Sequence, residues 1–343
     1  MAKPTAALAR LAELSVEVDI TEGVRRAVSY AQDVISERTR KGYANEFARF
    51  AAWADEQKLP SLPTSPEIVA VYLAALADGK VRMRWVGRGS IERETQTKKT
   101  PATIERAFIG IIHAQREAGH EWPRAHPLLA RVMRGIRRKL GTKQKRVAAI
   151  GLADLRALIE QCPKTLAGAR DRAMLSIGFF AALRRSELVA LDAADIKATP
   201  KGLLVTIRKA KEDQTANGRT VALPRTEDES ICPVRLLRAW LKASKIELGP
   251  LFRRIDRGGN LGSSALSSQV VGMIIKQLAD AAGLDASKFS GHSLRAGFVT
   301  SAAQAGKSFM SIMNQTGHRD IRTAMTYIRP ATVWDDNAAD GLA

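Results

Sequence analysis

Three short stretches in the second half of the chain each carry a cation or a proton carrier: AALRRSEL (181–188), SGHSLRAG (290–297) and TGHRDIRTAMTYIRP (316–330). They contribute Arg184, then His292 with Arg295, then His318 with Tyr327. An arginine side chain presents a planar fork of N–H donors that matches two phosphate oxygens, and lysine cannot copy this geometry. Two such forks and a histidine would neutralise a phosphodiester without a metal ion.

Tyr327 is the candidate nucleophile of this set. A tyrosine hydroxyl with a pKa of about 10 is a poor nucleophile alone, but neighbouring cations favour the phenolate. The sequence has no P-loop, no HExxH motif and no clustered carboxylates of the two-metal kind. Each motif is weak alone. Their order and spacing together predict phosphoryl-transfer chemistry, for which we expect no metal and no other cofactor.

The order of these motifs resembles that of the tyrosine recombinase (phage integrase) family. The pattern is ALRxSEL, a lysine on a β-hairpin, HSLR, and then GH with a tyrosine nine residues later, and it covers about residues 150–331. The helical region 36–139, with the phrase TIERAFIGIIHAQREAG (103–119), resembles the core-binding domain of the same family. The overall layout, including YIRPATVWDDNA (327–338), is most similar to the Cre-like branch.

The resemblance implies a role for each matching residue. Arg184 and Arg295 would clamp the scissile phosphate, and His318 would donate a hydrogen bond to it. His292 would assist proton transfer near the nucleophile. Tyr327 would attack phosphorus, form a 3′-phosphotyrosine bond and release a 5′-hydroxyl.

Two further residues match the family pattern, one on the predicted hairpin and one within the first arginine motif. Lys211 would protonate the leaving 5′ oxygen, and Lys209 is the alternative because the register of a hairpin is uncertain by a residue or two. Glu187 fits the acidic position that supports the arginines, although it could also be an ordinary exposed helix carboxylate.

The implied fold is mainly α with a small antiparallel β-sheet, arranged as a two-domain C-shaped clamp. An all-helical core-binding domain would be followed by a tyrosine recombinase catalytic domain. The predicted divisions are an N-terminal arm (1–35), the core-binding domain (36–139), a basic linker (140–150), the catalytic domain (151–331) and a C-terminal docking tail (332–343).

Local signals support helices in both domains. Ser65–Pro66 and Thr100–Pro101 each pair a cap residue with a proline at the first helical position. One predicted helix of the core-binding domain carries an aromatic core stripe, which is Tyr43, Phe47, Phe50 and Trp53. In the catalytic domain we expect a helix over Gly168–Leu183 and a hairpin from LLVTIRKAK (203–211) through Asn217–Gly218 to RTVALP (219–224).

Basic residues predict two DNA-contacting regions. No acidic residue occurs from Trp122 to Ala153. The predicted phosphate contacts there are Arg131, Arg134, Arg137, Arg138, Lys139, Lys143, Lys145 and Arg146. The insert 80–99 alternates between apolar and basic residues and has a turn signal at Gly87–Gly89, which is typical of a β-hairpin. Such a hairpin would touch DNA or a neighbouring subunit. The alternative is a solvated loop. Its candidate DNA contacts are Arg82, Arg84 and Arg88.

Composition agrees with a polyanionic partner. Fifty-four lysines and arginines against 35 acidic residues give a formal net charge of +19. The longest apolar runs are much shorter than a membrane span, and the N-terminus lacks a secretory signal. Cys162 and Cys232 are isolated in the sequence. We therefore expect a cytoplasmic, nucleoid-associated bacterial protein without a membrane partner.

The resemblance implies a site-specific DNA recombinase. A homo-tetramer would join two duplexes with inverted-repeat sites and exchange strands through a Holliday junction without ATP, while a monomer or dimer would occupy a single site. Two alternatives use the same fold: a type IB topoisomerase-like enzyme, and a non-catalytic DNA-binding protein. The complete residue set argues against the non-catalytic alternative.

Overall fold

The computed structural model describes residues 23, 26, 30, 35–86, 92–122, 125–142, 147–208, 218–317 and 325. The chain divides into two units, Met1–Gln144 and Lys145–Ala343, and the division falls within the stretch predicted as a basic linker. Most of the predicted N-terminal arm and the whole of the predicted tail 332–343 lie outside the described residues.

Between residues 35 and 142, the described part of the first unit has four helices: α1 (Glu37–Glu56), α2 (Pro66–Asp78), α3 (Pro101–Glu117) and α4 (Pro127–Leu140). The predicted caps are confirmed. The Ser65 hydroxyl accepts from the backbone N–H of Ile68 at the start of α2, and Thr100 accepts from Thr103 at the start of α3. Proline follows each cap, where its missing N–H costs nothing.

The core of the first unit is aromatic. Phe50 and Trp53 on α1 pack against Tyr72 on α2, with ring centroids 5.1 and 5.0 Å apart. All three side chains are buried, and the burial of Phe50 and Trp53 confirms the predicted stripe at these two positions. Tyr43 lies at the edge of the stripe, where its ring contacts His113 on α3.

An ion pair with a buried carboxylate and an exposed arginine joins two of these helices. Glu46 on α1 accepts from Arg106 on α3 at 2.6 Å and from Arg49 at 3.2 Å. Gly110 on α3 permits this close approach, since a Cβ there would lie 3.0 Å from Cβ of Glu46. A buried carboxylate needs such partners, so the pair fixes the register of α1 against α3.

The insert contains a β-hairpin, as one of its two sequence interpretations predicts. Strand β1 (Met83–Val86) pairs antiparallel with β2 (Glu92–Thr95), with Arg84 opposite Glu94. The alternative of an irregular loop is therefore wrong for these strands. Arg88 lies outside the described residues.

The second unit is also mainly helical. Its α-helices between residues 147 and 317, where the structure describes all but 209–217, are α5 (Leu152–Glu160), α6 (Leu166–Phe180), α7 (Arg185–Val189), α8 (Pro233–Ser244), α9 (Ser268–Ala281), α10 (Ser293–Gln304) and α11 (Phe309–Thr316). Helix α6 is buried along most of its length and packs against α8. Trp240 on α8 is fully buried, and its Nε1–H donates to the carbonyl oxygen of Leu251 at 2.9 Å.

Two small antiparallel sheets are present among the described residues of the second unit. Strands β3 (Ile196–Thr199), β4 (Gly202–Ile207) and β5 (Arg219–Pro224) form one sheet in that order. Strands β6 (Arg253–Ile255) and β7 (Leu261–Ala265) form the other. The predicted hairpin is therefore confirmed as β4–β5. In the described residues no helix is both long and apolar enough to cross a bilayer.

The predicted helix Gly168–Leu183 ends earlier than expected, at Phe180. The reason is a tight turn in which the N–H of Leu183 donates back to the carbonyl oxygen of Gly178 and Ala182 adopts a left-handed φ of +50°. This conformation costs an alanine about 1–2 kcal/mol, so helix propensity alone predicts continuation. The turn places Arg184 just before α7.

Candidate active site

Arg184 and Glu187 form the centre of the site. Arg184 directly precedes α7, and its backbone N–H donates to Oε2 of Glu187 at 3.1 Å. Its Nη1 donates to Oε1 of the same carboxylate at 2.8 Å. Both residues are buried, at 8% and 4% exposure, so Glu187 is not an ordinary exposed helix carboxylate. The two-point contact fixes the Arg184 side chain against its own helix.

A second arginine, Arg219 at the start of β5, also binds Glu187. Its Nη2 donates to Oε2 at 3.1 Å, and its side chain is 15% exposed. Burial alone would raise the pKa of the Glu187 carboxyl. The charge of Arg219 and the hydrogen bonds from Arg184 and Arg219 outweigh burial, and they hold this pKa below its ordinary value. Glu187 is therefore ionised at neutral pH.

Sequence reasoning missed Arg219, although a signal for it exists. Strand β5 alternates between inward and outward positions, and Arg219 has the same parity as the buried Val221 and Leu223. An arginine on the inward face of a strand needs an anionic partner inside the protein. That alternation would have indicated a buried carboxylate near the hairpin.

Arg295 is held at the turn that precedes Arg184. It lies in the first turn of α10, is 6% exposed, and donates from Nη1 to the carbonyl oxygen of Ala182 at 2.7 Å. The two predicted phosphate-clamping arginines therefore meet at one turn, between α6 and α7. The left-handed φ of Ala182 is local strain next to the site, where such strain is commonly found.

Glycines allow the second motif to pack closely against Arg185 of the first motif and against Ile150. A Cβ on Gly291 would lie 3.0 Å from Cδ of Arg185, the neighbour of Arg184. A Cβ on Gly297 would lie 1.8 Å from the carbonyl oxygen of Ile150, so only glycine fits there. These close approaches explain why the motif SGHSLRAG has glycine at both ends.

His292 is the predicted proton-transfer residue at the start of α10. It occupies the N-cap position of the helix, its backbone N–H donates to Oγ of Ser290 at 3.1 Å, and the residue is exposed. Arg295 follows three residues later and so lies on the same side of the helix. His292 is therefore accessible to a substrate beside a buried arginine.

Three predicted site residues, Lys211, His318 and Tyr327, lie outside the described residues, as does Lys209. The chain on either side of them is described. Lys211 belongs to the connection between β4 and β5. Helix α11 ends at Thr316 and is followed by Gly317 with a φ of +66°, directly before His318.

The end of α11 is attached to the rest of the site. Nε2 of Gln315 donates to the carbonyl oxygen of Phe180 at 2.9 Å and to that of Ala222 at 3.3 Å. A Cβ on Gly317 would lie 2.9 Å from Nε of Arg219. Gln315 and Gly317, around the start of the third motif, therefore contact the end of α6 and strand β5. In the described part of the chain, no three His, Cys, Asp or Glu side chains are grouped as metal ligands.

Comparison with known proteins assigns the family. The model of the phage integrase family matches residues 150–332 of this chain. The chain is also 34% identical over 308 residues to an integrase/recombinase XerD homolog of Selenomonas ruminantium, covering 90% of this chain and 86% of that protein.

The chain belongs to the phage integrase family. It is therefore a tyrosine recombinase, a DNA breaking and rejoining enzyme that acts in site-specific recombination. The chain is also 26% identical over 318 residues to the recombinase Cre of Escherichia phage P1, covering 87% of this chain and 85% of that protein.

Solved structures share the fold. An integrase of the transposon Tn1549, in complex with transposon right end DNA, matches with a TM-score of 0.56 at 14% identity, covering 93% of this chain and 94% of that one. A lambda integrase dimer bound to a COC′ core site matches with a TM-score of 0.54 at 14% identity, covering 89% and 75%. At this identity the likeness is one of fold.

The recombinase presents a basic face on α4. Leu129, Met133 and Ile136 are buried on one side of this helix. The predicted DNA contacts on the helix are all exposed, namely Arg131, Arg134, Arg137, Arg138 and Lys139. Arg137 donates to Glu105 at 2.8 Å.

Further basic residues were predicted outside this helix. Arg82, before β1, is exposed. The predicted contacts Lys143, Lys145 and Arg146 lie outside the described residues.

Proposed function

We propose that this recombinase cleaves and rejoins DNA through a 3′-phosphotyrosine intermediate formed by Tyr327, without a metal ion or ATP. The observation that carries the proposal is the buried cluster of Arg184, Glu187 and Arg219, with Arg295 bound to the turn before Arg184. Buried guanidinium groups held in fixed positions are suited to stabilise charge that develops on a phosphate.

In the proposed step, the Tyr327 oxygen forms a bond to phosphorus while the bond from phosphorus to the 5′ oxygen breaks. Lys211 supplies the proton to that oxygen, and His292 assists removal of the proton from the tyrosine. Arg184, Arg295 and His318 would contact the non-bridging oxygens, where negative charge accumulates. Loss of one preorganised donor costs about 3–4 kcal/mol of transition-state stabilisation.

The phosphotyrosine stores the energy of the broken bond. A 5′-hydroxyl from another strand can attack phosphorus, release the tyrosine and reseal the DNA, so ATP is not required. Two such exchanges, one on each pair of strands, would pass through a Holliday junction. We infer that a homo-tetramer carries out this sequence on paired sites with inverted repeats, while a monomer or dimer binds a single site.

Basic regions support DNA as the substrate. The exposed cations of α4, together with the linker 140–150 and the hairpin β1–β2, would follow the phosphate backbone. We propose that residues of both units contact the duplex, and that the protein is associated with the bacterial nucleoid in the cytoplasm.

Assembly is proposed to use the C-terminal tail 332–343, which contains Trp334 and Leu342. The second unit has an open apolar groove between α6, β5, α10 and α11, lined among others by Phe180, Pro224 and Phe298. A short apolar segment of a neighbouring protomer has the chemistry to fill this groove. We propose that the tail docks there on the adjacent protomer.

A plasmid assay tests the proposed function. Supercoiled plasmids carrying two, one or no candidate sites from the flanks of the gene would be incubated with the protein, with Tyr327→Phe as the control. Recombinant products that require two sites and an intact Tyr327 support the proposal. Relaxation that is independent of a second site would instead indicate a topoisomerase, and binding without product would indicate a DNA-binding protein.

A further inference from the structure

Arg219 contacts two segments of the site that are far apart in sequence. Its Nη2 donates to Glu187, which in turn accepts from Arg184 at 2.8 Å. A Cβ added to Gly317, the residue before His318, would lie 2.9 Å from Nε of Arg219. Arg219 is the first residue of β5, the strand that follows Lys211 in the sequence.

The Arg219 side chain has donor nitrogens that these contacts do not use. Nε and Nη1 are buried, and neither atom has a hydrogen-bond partner in the part of the chain that the structure describes. Buried donors of a charged group are costly when they have no acceptor. Two donor nitrogens of Arg219 therefore remain without a described partner, and one of them, Nε, lies next to Gly317.

We propose that Arg219 is a positioning residue for the DNA-breaking step, because it fixes Glu187 against Arg184 and packs against the backbone at Gly317. The proposal rests on the proposed function and adds a residue to its site. Arg219 acts through the groups it holds, and the planar shape of its guanidinium allows one face to lie against Gly317 while the edge binds the carboxylate.

Three variants separate this role from general support of the fold. In Arg219→Ala, cleavage of a nicked suicide duplex at saturating DNA should slow by about ten- to a hundredfold, while DNA affinity stays within about threefold. Arg219→Lys should recover part of the rate, because an ammonium group can still pair with Glu187. Arg208→Ala is the matched control, since Arg208 follows the other strand of the same hairpin and pairs with Asp195 at 2.8 Å.

A double-mutant cycle gives a readout that a merely structural role would not produce. If Arg219 acts through Glu187, Arg219→Ala combined with Glu187→Gln should cleave no more than about threefold slower than the slower single variant. Independent effects that multiply would overturn the proposal. A fall in rate that occurs equally in Arg208→Ala would also overturn it, because any hairpin ion pair would then suffice.

Controls distinguish the failure of this proposal from failure of the proposed function. Wild-type protein must first form a covalent adduct, and Tyr327→Phe must form none. Failure at that stage overturns the proposed function and the role of Arg219 with it. With the adduct established and melting temperatures matched, equal cleavage by Arg219→Ala and wild type overturns the role of Arg219 alone.

Discussion

Arg295 donates from Nη1 to the carbonyl oxygen of Ala182 at 2.7 Å, across 113 residues of sequence. This bond joins the first turn of α10 to the turn between α6 and α7, and so brings the second arginine motif to the first. The carbonyl is presented by a residue in a left-handed conformation, which helical propensity does not favour. A long-range contact therefore determines where the two predicted phosphate clamps lie.

Replacement of Arg295 by lysine should abolish most cleavage while DNA binding persists. Lysine keeps the charge, but a single ammonium group cannot bind the Ala182 carbonyl and also present a fork to phosphate. We expect single-turnover cleavage to fall by about a hundredfold or more. The measurement is adduct formation at saturating DNA. Cleavage within a few-fold of wild type would show that the fork is not required.

The two hairpin lysines can be separated with a substrate whose 5′-bridging oxygen is replaced by sulfur. A thiolate leaves without protonation, so loss of a general acid matters less on this substrate. Lys211→Ala should slow normal cleavage by about a hundredfold, and sulfur should restore most of the rate. Arg184→Ala serves as the control, because sulfur does not replace a phosphate clamp. Restoration in Lys209→Ala and not in Lys211→Ala would reverse the assignment.

The basic face of α4 should contribute to the salt dependence of DNA binding. Each lost phosphate contact should reduce the slope of log affinity against log salt by about one. We expect this for Arg134→Gln and Arg138→Gln, and a smaller change for Arg137→Gln, whose charge is already paired with Glu105. Titrations between about 50 and 200 mM salt measure the slopes. Identical slopes for all variants and wild type would exclude α4 from the interface.

Acid should remove the contribution of Glu187 to stability. Its pKa in the folded protein lies below the ordinary value of 4.5, so the ionised carboxylate stabilises the fold above that pH. This contribution is lost as the pH falls through the lower folded-state pKa. At about pH 7, Glu187→Gln should lose about 3 kcal/mol of unfolding free energy, and the difference from wild type should shrink below pH 4.5. A difference that is constant with pH would contradict the ion-pair account.

Local features of the sequence predicted much of this fold. Ser65–Pro66 and Thr100–Pro101 begin helices because a cap and a proline act within a few residues. The pairing of β4 with β5 agrees with the prediction from alternation and from the Asn217–Gly218 turn signal in the sequence. The turn at Ala182 could not be predicted in this way, because its conformation depends on contacts made in three dimensions, including one with Arg295.

The active site was predictable only where a local sequence motif marks the residue. Arg184 and Arg295 are recognisable because each stands within a dense motif, whereas Arg219 stands in an ordinary strand and acquires its partner only on folding. Gln315 is similar, since its two acceptors lie on Phe180 and Ala222, far away in sequence. Residues that position others leave a weak signal because their partners are distant in the chain.

The most direct test of the account is the covalent link between enzyme and DNA. The full-length protein would be incubated with a nicked suicide duplex carrying a candidate site, digested, and analysed by mass spectrometry. The account predicts a single nucleotide adduct on Tyr327, joined through a 3′-phosphate, formed in the presence of a chelator and without ATP. An adduct on another residue, or strand cleavage that leaves no protein attached to the DNA, would contradict it.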